Sequence, residues 1–179
     1  MGILTMILVI ILLIILLLLI FASFLPEKYS IEASIIINRP VEKVFDFIRY
    51  LRHADRYNKW TMIDRKLKRS FLGTDGTVGF VSAWDSEINQ VGKGEQEIIG
   101  MQEGTRVEYE IRFEKPFQNI SHAYISTVGL SDSRTEVHWV FSGKRNLLMK
   151  VFHLVFNLQK TLAKDLNESL VNLKRIMES

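Results

Sequence analysis

Ser34-Ile35-Ile36-Ile37-Asn38-Arg39-Pro40-Val41-Glu42-Lys43-Val44-Phe45-Asp46-Phe47-Ile48 changes its hydrophobic period in mid-course. Up to Asn38 the run is β-branched, and from Tyr29 it starts with polar-apolar alternation, so Tyr29 to Asn38 reads as a strand. Asn38-Arg39-Pro40 stops it. Beyond Pro40, Val41, Val44, Phe45 and Ile48 follow the i, i+3, i+4, i+7 spacing of an amphipathic helix with proline near its first turn, running from about Pro40 to Tyr50. A second short helical piece is expected at His53 to Asn58, ending at Trp60.

Downstream the spacing shortens to strand period. Arg65 to Phe71, Val78 to Trp84, Lys93 to Ile99, Arg106 to Glu114, His122 to Val128 and Thr135 to Ser142 are the expected strands. Gly73-Thr74-Asp75-Gly76, with its Asp-Gly step, suits a tight hairpin between the first two. Arg106 to Glu114 alternates most cleanly, with Val107, Tyr109, Ile111 and Phe113 on one face and charged residues on the other, as in an antiparallel sheet wet on one side. From Leu147 to Met177 apolar residues recur at near-helical spacing without Gly or Pro, which predicts one long closing helix. The order predicts an α+β domain in which a curved antiparallel sheet wraps a long C-terminal helix.

Upstream, Ile3 to Leu25 holds only Thr5 and Ser23 as polar residues and has no charge, Gly or Pro. At 1.5 Å per residue it spans roughly 34 Å, enough for a hydrocarbon core of about 30 Å. A cleaved signal peptide would need a basic n-region, a shorter apolar stretch and a small-x-small site; Met1-Gly2 has no basic side chain, and Phe24 puts a bulky ring where a small residue is wanted. Residues 1–26 are therefore expected to be a single-pass anchor with its linker, and residues 27–179 one folded domain. Lys28, Arg39 and Lys43 follow the span while no basic residue precedes it, a bias that favours a cytoplasmic domain.

The segment from Ser34 to Ile48 resembles the opening of the START-like superfamily, specifically its polyketide cyclase/dehydrase-like group. Trp60, the Val91-Gly92-Lys93-Gly94 turn, Glu114-Lys115-Pro116-Phe117 and Lys164-Asp165-Leu166-Asn167-Glu168-Ser169-Leu170-Val171-Asn172-Leu173-Lys174 are similar to that group too. The resemblance implies a helix-grip fold with an internal cavity for a small hydrophobic ligand such as a lipid, isoprenoid or polyketide-like molecule. It also implies a bacterial inner-membrane setting, since bacterial members carry a similar apolar helix before the domain. Two alternatives stand beside it, a cyclase- or dehydrase-type enzyme and a non-catalytic regulator that binds another protein.

Cavity walls are expected from aromatic residues that share inward faces. These are Trp60, Phe80 and Trp84, Tyr109 and Phe113, Trp139, and Phe152 with Phe156 on the closing helix. For any one of them, filling an ordinary core is the competing reading. His53, His122, His138 and His153 have no metal-ligand spacing, and the chain has no cysteine, so neither metal nor cofactor is called for. His138 should face solvent, opposite to Trp139. Glu95 and Glu97 share a strand face, which more often marks a wet surface than paired acid-base groups. No nucleophile elbow or phosphate loop is present, so no catalytic residue is assigned. A net charge of +3 with both signs interspersed argues against nucleic acid. Lys144, Arg145 and Lys150, interleaved with apolar residues, form a candidate contact for anionic lipid headgroups, or else a solvated helix start.

Overall fold

The computed structural model describes residues 2–179. Helix α1 (Ile3–Ser23) is apolar all round, and Ala22 near its end is buried. Four residues, Phe24 to Glu27, separate it from strand β1 (Lys28–Ile37). The alternation seen in the sequence puts Tyr29, Ile31 and Ala33 of β1 inward. Helix α2 (Val41–Ile48) starts at Pro40, whose fixed φ suits a first turn, and buries Val44, Phe45 and Ile48. A 3-10 helix (Leu51–Arg56) and α3 (Lys59–Ile63) follow, the latter capped by the Asn58 side chain, which accepts from the Trp60 amide at 3.0 Å.

Six more strands complete the sheet: β2 (Lys68–Leu72), β3 (Val81–Asp85), β4 (Lys93–Gln102), β5 (Arg106–Lys115), β6 (Asn119–Ser131) and β7 (Arg134–Lys144). All neighbours are antiparallel, in the order β1-β7-β6-β5-β4-β3-β2. Register shifts in β4 at Lys93/Gly94 and Ile98/Gly100 bend the sheet around its inner face. The chain ends in α4 (Leu147–Phe156) and α5 (Leu158–Glu178). Leu166, Leu170 and Leu173 of α5 are fully buried, and the helix runs along β1 inside the curve of the sheet. At its far end Glu178 accepts from the Asn38 amide at 2.7 Å.

Two expectations are corrected. The single long closing helix is two helices, broken at Asn157, whose φ of 47° and ψ of 45° are left-handed. The Asp75-Gly76 step does not make a tight β2–β3 hairpin, because an eight-residue loop, Gly73 to Phe80, joins those strands. Asp75 instead caps the 3-10 helix from outside, its carboxylate accepting from the Leu51 amide at 2.8 Å and the Arg52 amide at 3.1 Å.

Strand direction fixes which end of the sheet meets α1. The starts of β1, β2, β4 and β6 and the ends of β3, β5 and β7 share the α1 end, while α2 lies against the opposite end near Gly129. Helix α4 leaves β7 at the same end and packs against α1.

Candidate functional site

A partly enclosed cavity of about 210 Å³ lies between the sheet and the helices α3 and α5. Trp60, Trp84 and Trp139, the chain's three tryptophans, all line it. Trp84, Phe113, Phe141 and Leu162 come from the ends of their elements nearer α1, and Val91 from the β3–β4 loop at that end, so much of the cavity sits in that half of the domain.

Two local features shape these walls. Trp84 stands across from Gly94 on β4, where a Cβ would come within 2.8 Å of the indole and 2.5 Å of the Arg112 carbonyl oxygen. Only a glycine lets the ring lie flat over the neighbouring strand. Its indole nitrogen donates to the Val91 carbonyl at 3.2 Å, and its face meets Phe113 edge-on with centroids 5.8 Å apart. Trp139 is held between the edges of Tyr57 and Trp60, at 6.0 and 6.5 Å.

The polar side chains on the walls, besides the indole N–H groups, are Asn58, Thr61, Arg69, Ser82, Gln90 and Gln96. Asn58 and Thr61 use their hydrogen bonds on backbone, Asn58 on the Trp60 amide and Thr61 on the Ala54 and Asn58 carbonyls. Arg69 donates to Ser82 Oγ at 2.9 Å and pairs with Asp55 at 3.1 Å. Burial raises the Asp55 carboxyl above its usual range although Arg69 opposes the shift, and burial lowers the Arg69 guanidinium against the pull of Asp55. Asp55 itself is exposed and holds Arg69 from outside the cavity, so the polar pair on the wall is Arg69 with Ser82, suited to one polar atom on an otherwise apolar guest.

Of the aromatic residues expected at the site, Trp60, Trp84, Phe113 and Trp139 come together on the cavity wall. Phe80 and Tyr109 do not reach it. Phe80 is fully buried and stacks on Phe71 at 6.0 Å, and Tyr109 is buried with its hydroxyl 3.5 Å from the Ile48 carbonyl. Phe152 and Phe156 lie on α4, outside the cavity, and stack on each other, with Phe117 against Phe152. Sequence reasoning missed Arg69, Ser82, Gln96 and Ala123. A signal for two of them was present: Ser82 interrupts the inward face between Phe80 and Trp84, and Gln96 does the same between Gly94 and Ile98.

The other candidates fall on the outer surface or into the interior. Arg112 binds Glu95 at 2.6 Å, Glu97 at 2.8 Å and Glu110 at 2.6 Å on the outer face of the sheet, and the three carboxylates push its pKa up. His138 faces away from Trp139, as expected, but is half-buried between Glu32 at 3.0 Å and Glu136 at 3.4 Å. Among the described residues no cluster of His, Cys, Asp or Glu is arranged to hold a metal. The basic patch needs correction, because Arg145 and Lys150 are buried and only Lys144 is exposed. Arg145 donates from its amide to the Glu27 carbonyl at 2.9 Å and from Nε to the Pro26 carbonyl at 3.0 Å, tying the linker to the domain. Its guanidinium lies 3.4 Å from His153 Nδ1, and burial first, then this neighbouring charge, lowers the His153 pKa.

Solved structures share this architecture. A Chromobacterium violaceum protein matches with a TM-score of 0.59 and 15% identity, over 84% of this chain and 97% of its own. A Helicobacter pylori protein gives 0.63 at 11% identity, over 83% and 88%. DynU16, a protein of the dynemicin biosynthetic locus, gives 0.57 at 13% identity, over 84% of this chain and 47% of its own. At such identities the likeness is one of fold, the START-like helix grip. No curated protein matches the chain. The family model for polyketide cyclase/dehydrase and lipid transport proteins matches residues 28–178, the whole domain after α1, and the chain belongs to that family.

Proposed function

We propose that the chain is a membrane-anchored binding domain in which α1 crosses the bilayer and the cavity holds part of a small hydrophobic ligand. The observation that carries this reading is the apolar, tryptophan-lined cavity in the half of the domain nearer α1. Helix α1 is 21 residues long and uncharged, about 32 Å at helical rise, which matches the hydrocarbon core. The family's description, which includes lipid transport, supports a lipid-like guest.

Volume narrows the guest. An apolar cavity of about 150 Å³ accommodates a benzene ring, and drug-sized pockets run to roughly 300–1,000 Å³. The 210 Å³ present here suits one ring or a short run of chain. An isoprenoid, polyketide-like or single-chain lipid would insert one end and leave the rest at the mouth. Arg69 and Ser82 would meet a carbonyl or hydroxyl on the inserted part. The charge bias of Lys28, Arg39 and Lys43 favours the cytoplasmic side of a bacterial inner membrane for the domain.

The test is native mass spectrometry of the full chain released from mild detergent, with organic extraction of what it carries. A bound apolar species at a defined ratio to protein is expected. Release of the chain by alkaline carbonate would remove the anchor, and an empty protein that also binds none of the extracted membrane lipids would remove the ligand. Spheroplasts treated with external protease should leave the domain intact if it faces the cytoplasm, and digestion without lysis would reverse the orientation.

A further inference from the structure

Helix α4 is inside-out for a helix on a water-soluble domain. Its charged and titratable side chains point into the protein, with Lys150 only 7% and His153 only 6% exposed. Its apolar side chains point away: Leu148 is 59%, Val155 55% and Phe156 60% exposed. Phe117, from the β5–β6 turn, is 51% exposed and continues the same surface through Phe152, with ring centroids 5.9 Å apart. A helix facing water puts its polar stripe outward, and a contiguous exposed apolar patch marks a contact with something apolar.

The placement of α4 identifies that contact. It packs against α1, and the linker carbonyls of Pro26 and Glu27 are bound by Arg145, one residue before the α4 cap. Whatever surrounds the end of α1 therefore surrounds the outer face of α4. We propose that α4 is an interfacial helix, its Leu148, Val155 and Phe156 face lying with Phe117 in the boundary between headgroups and acyl chains beside α1. Such helices sink about 5–10 Å below the surface. The exposed face bears no charge to oppose that, since Lys150 and His153 face the domain. The inference rests on α1 spanning the membrane, and it adds that the domain is seated on the bilayer in one orientation, with the cavity end of the sheet down.

The chain has no cysteine, so single reporter thiols can be placed in the full-length protein. Leu12→Cys in α1, Leu148→Cys and Val155→Cys on α4, and Asp132→Cys at the β6–β7 turn would each carry an environment-sensitive fluorophore. Each variant is reconstituted into phosphatidylcholine vesicles containing nitroxide-labelled lipid. Quenching at 148 and 155 should exceed that at 132 at least about threefold, with a depth shallower than at 12. Strong quenching at 12 with 148 and 155 no different from 132 would overturn the interfacial helix while leaving the anchor in place. No quenching at 12 would overturn the anchor itself, and the interfacial helix with it. Emission at 148 and 155 that ignores quencher lipid but changes with protein density would mean that a second copy covers α4, and would also overturn the proposal.

Discussion

Ala123 is one of two alanines on the cavity wall and the one in the sheet, on β6 directly across from Phe141 of β7 and Tyr109 of β5. Replacing it by leucine adds three carbons. At about 30 Å³ each, the share of a water in the liquid, they take on the order of 90 Å³ from the cavity. Burial of three carbons contributes roughly 2.4 kcal/mol, and crowding in a packed interior costs about 1–3 kcal/mol. The two nearly cancel because the new atoms enter a space rather than a filled core. Ala123→Leu should therefore move the unfolding midpoint by less than about 5 °C. Ligand recovered per protein, read by native mass spectrometry, should fall about tenfold, since roughly 1.4 kcal/mol of lost fit suffices for that. Leu166→Ala is the contrast: fully buried on α5 and absent from the cavity wall, it should cost about 2–5 kcal/mol and lower the midpoint by roughly 5–20 °C. Unchanged ligand recovery in a well-folded Ala123→Leu protein would show that the cavity is not the binding site. A loss of about 10 °C or more would show that the space is already filled.

Arg112→Leu leaves Glu95, Glu97 and Glu110 facing one another, with Glu97 and Glu110 directly opposite across β4 and β5. Because all three are about a third exposed, the cost at low salt should be only about 1–2 kcal/mol, and it should shrink in about 1 M NaCl; a salt-independent cost in urea titrations would mean lost packing instead. Asn157→Ala should cost about 1 kcal/mol and Asn157→Gly almost nothing, since only the former strains a left-handed φ; equal effects in thermal melts would refute the αL argument. His153 has its pKa lowered in the fold, so the unfolded chain takes up the proton first as pH falls below about 6.5. Stability present at about pH 7 should decline below that point and level off once the folded imidazole is protonated. His153→Phe, which keeps an edge for Tyr29, should flatten this part of the thermal stability profile, and an unchanged slope would assign it elsewhere.

Local pattern sufficed where one face of an element was dry and the other wet. The switch at Asn38-Arg39-Pro40 is visible because proline ends one period and opens another, and the alternation of Arg106 to Glu114 survives intact in β5. Asn157 left no comparable mark. Apolar spacing continues across it, and an asparagine that folds left-handed looks in sequence like any polar residue on a helix. The break matters because it separates a helix with its apolar side out from one with its apolar side in. Asp75-Gly76 misled for a related reason: the aspartate serves amides 23 and 24 residues away, which a local turn rule does not consider. The cavity was legible in part. Alternation assigns Phe80 and Trp84 to the same face, yet Phe80 packs on Phe71 while Trp84 lies beside a space. Which inward side chains meet and which leave a gap depends on sheet curvature, set by the register shifts in β4, and no residue type encodes those by itself.

The linker between α1 and β1 sets what kind of motion is available. Fully stretched, Phe24 to Glu27 would reach roughly 14 Å, and Arg145 holds two of its four carbonyls so that it is not free to stretch. With α1 in a bilayer, the domain diffuses in two dimensions and cannot swing across an aqueous gap to another membrane. It would work as a fixed station: cargo collected from one leaflet returns to that leaflet or passes to a soluble courier that docks. Exchange would then be first order in the courier and indifferent to the distance to any second membrane.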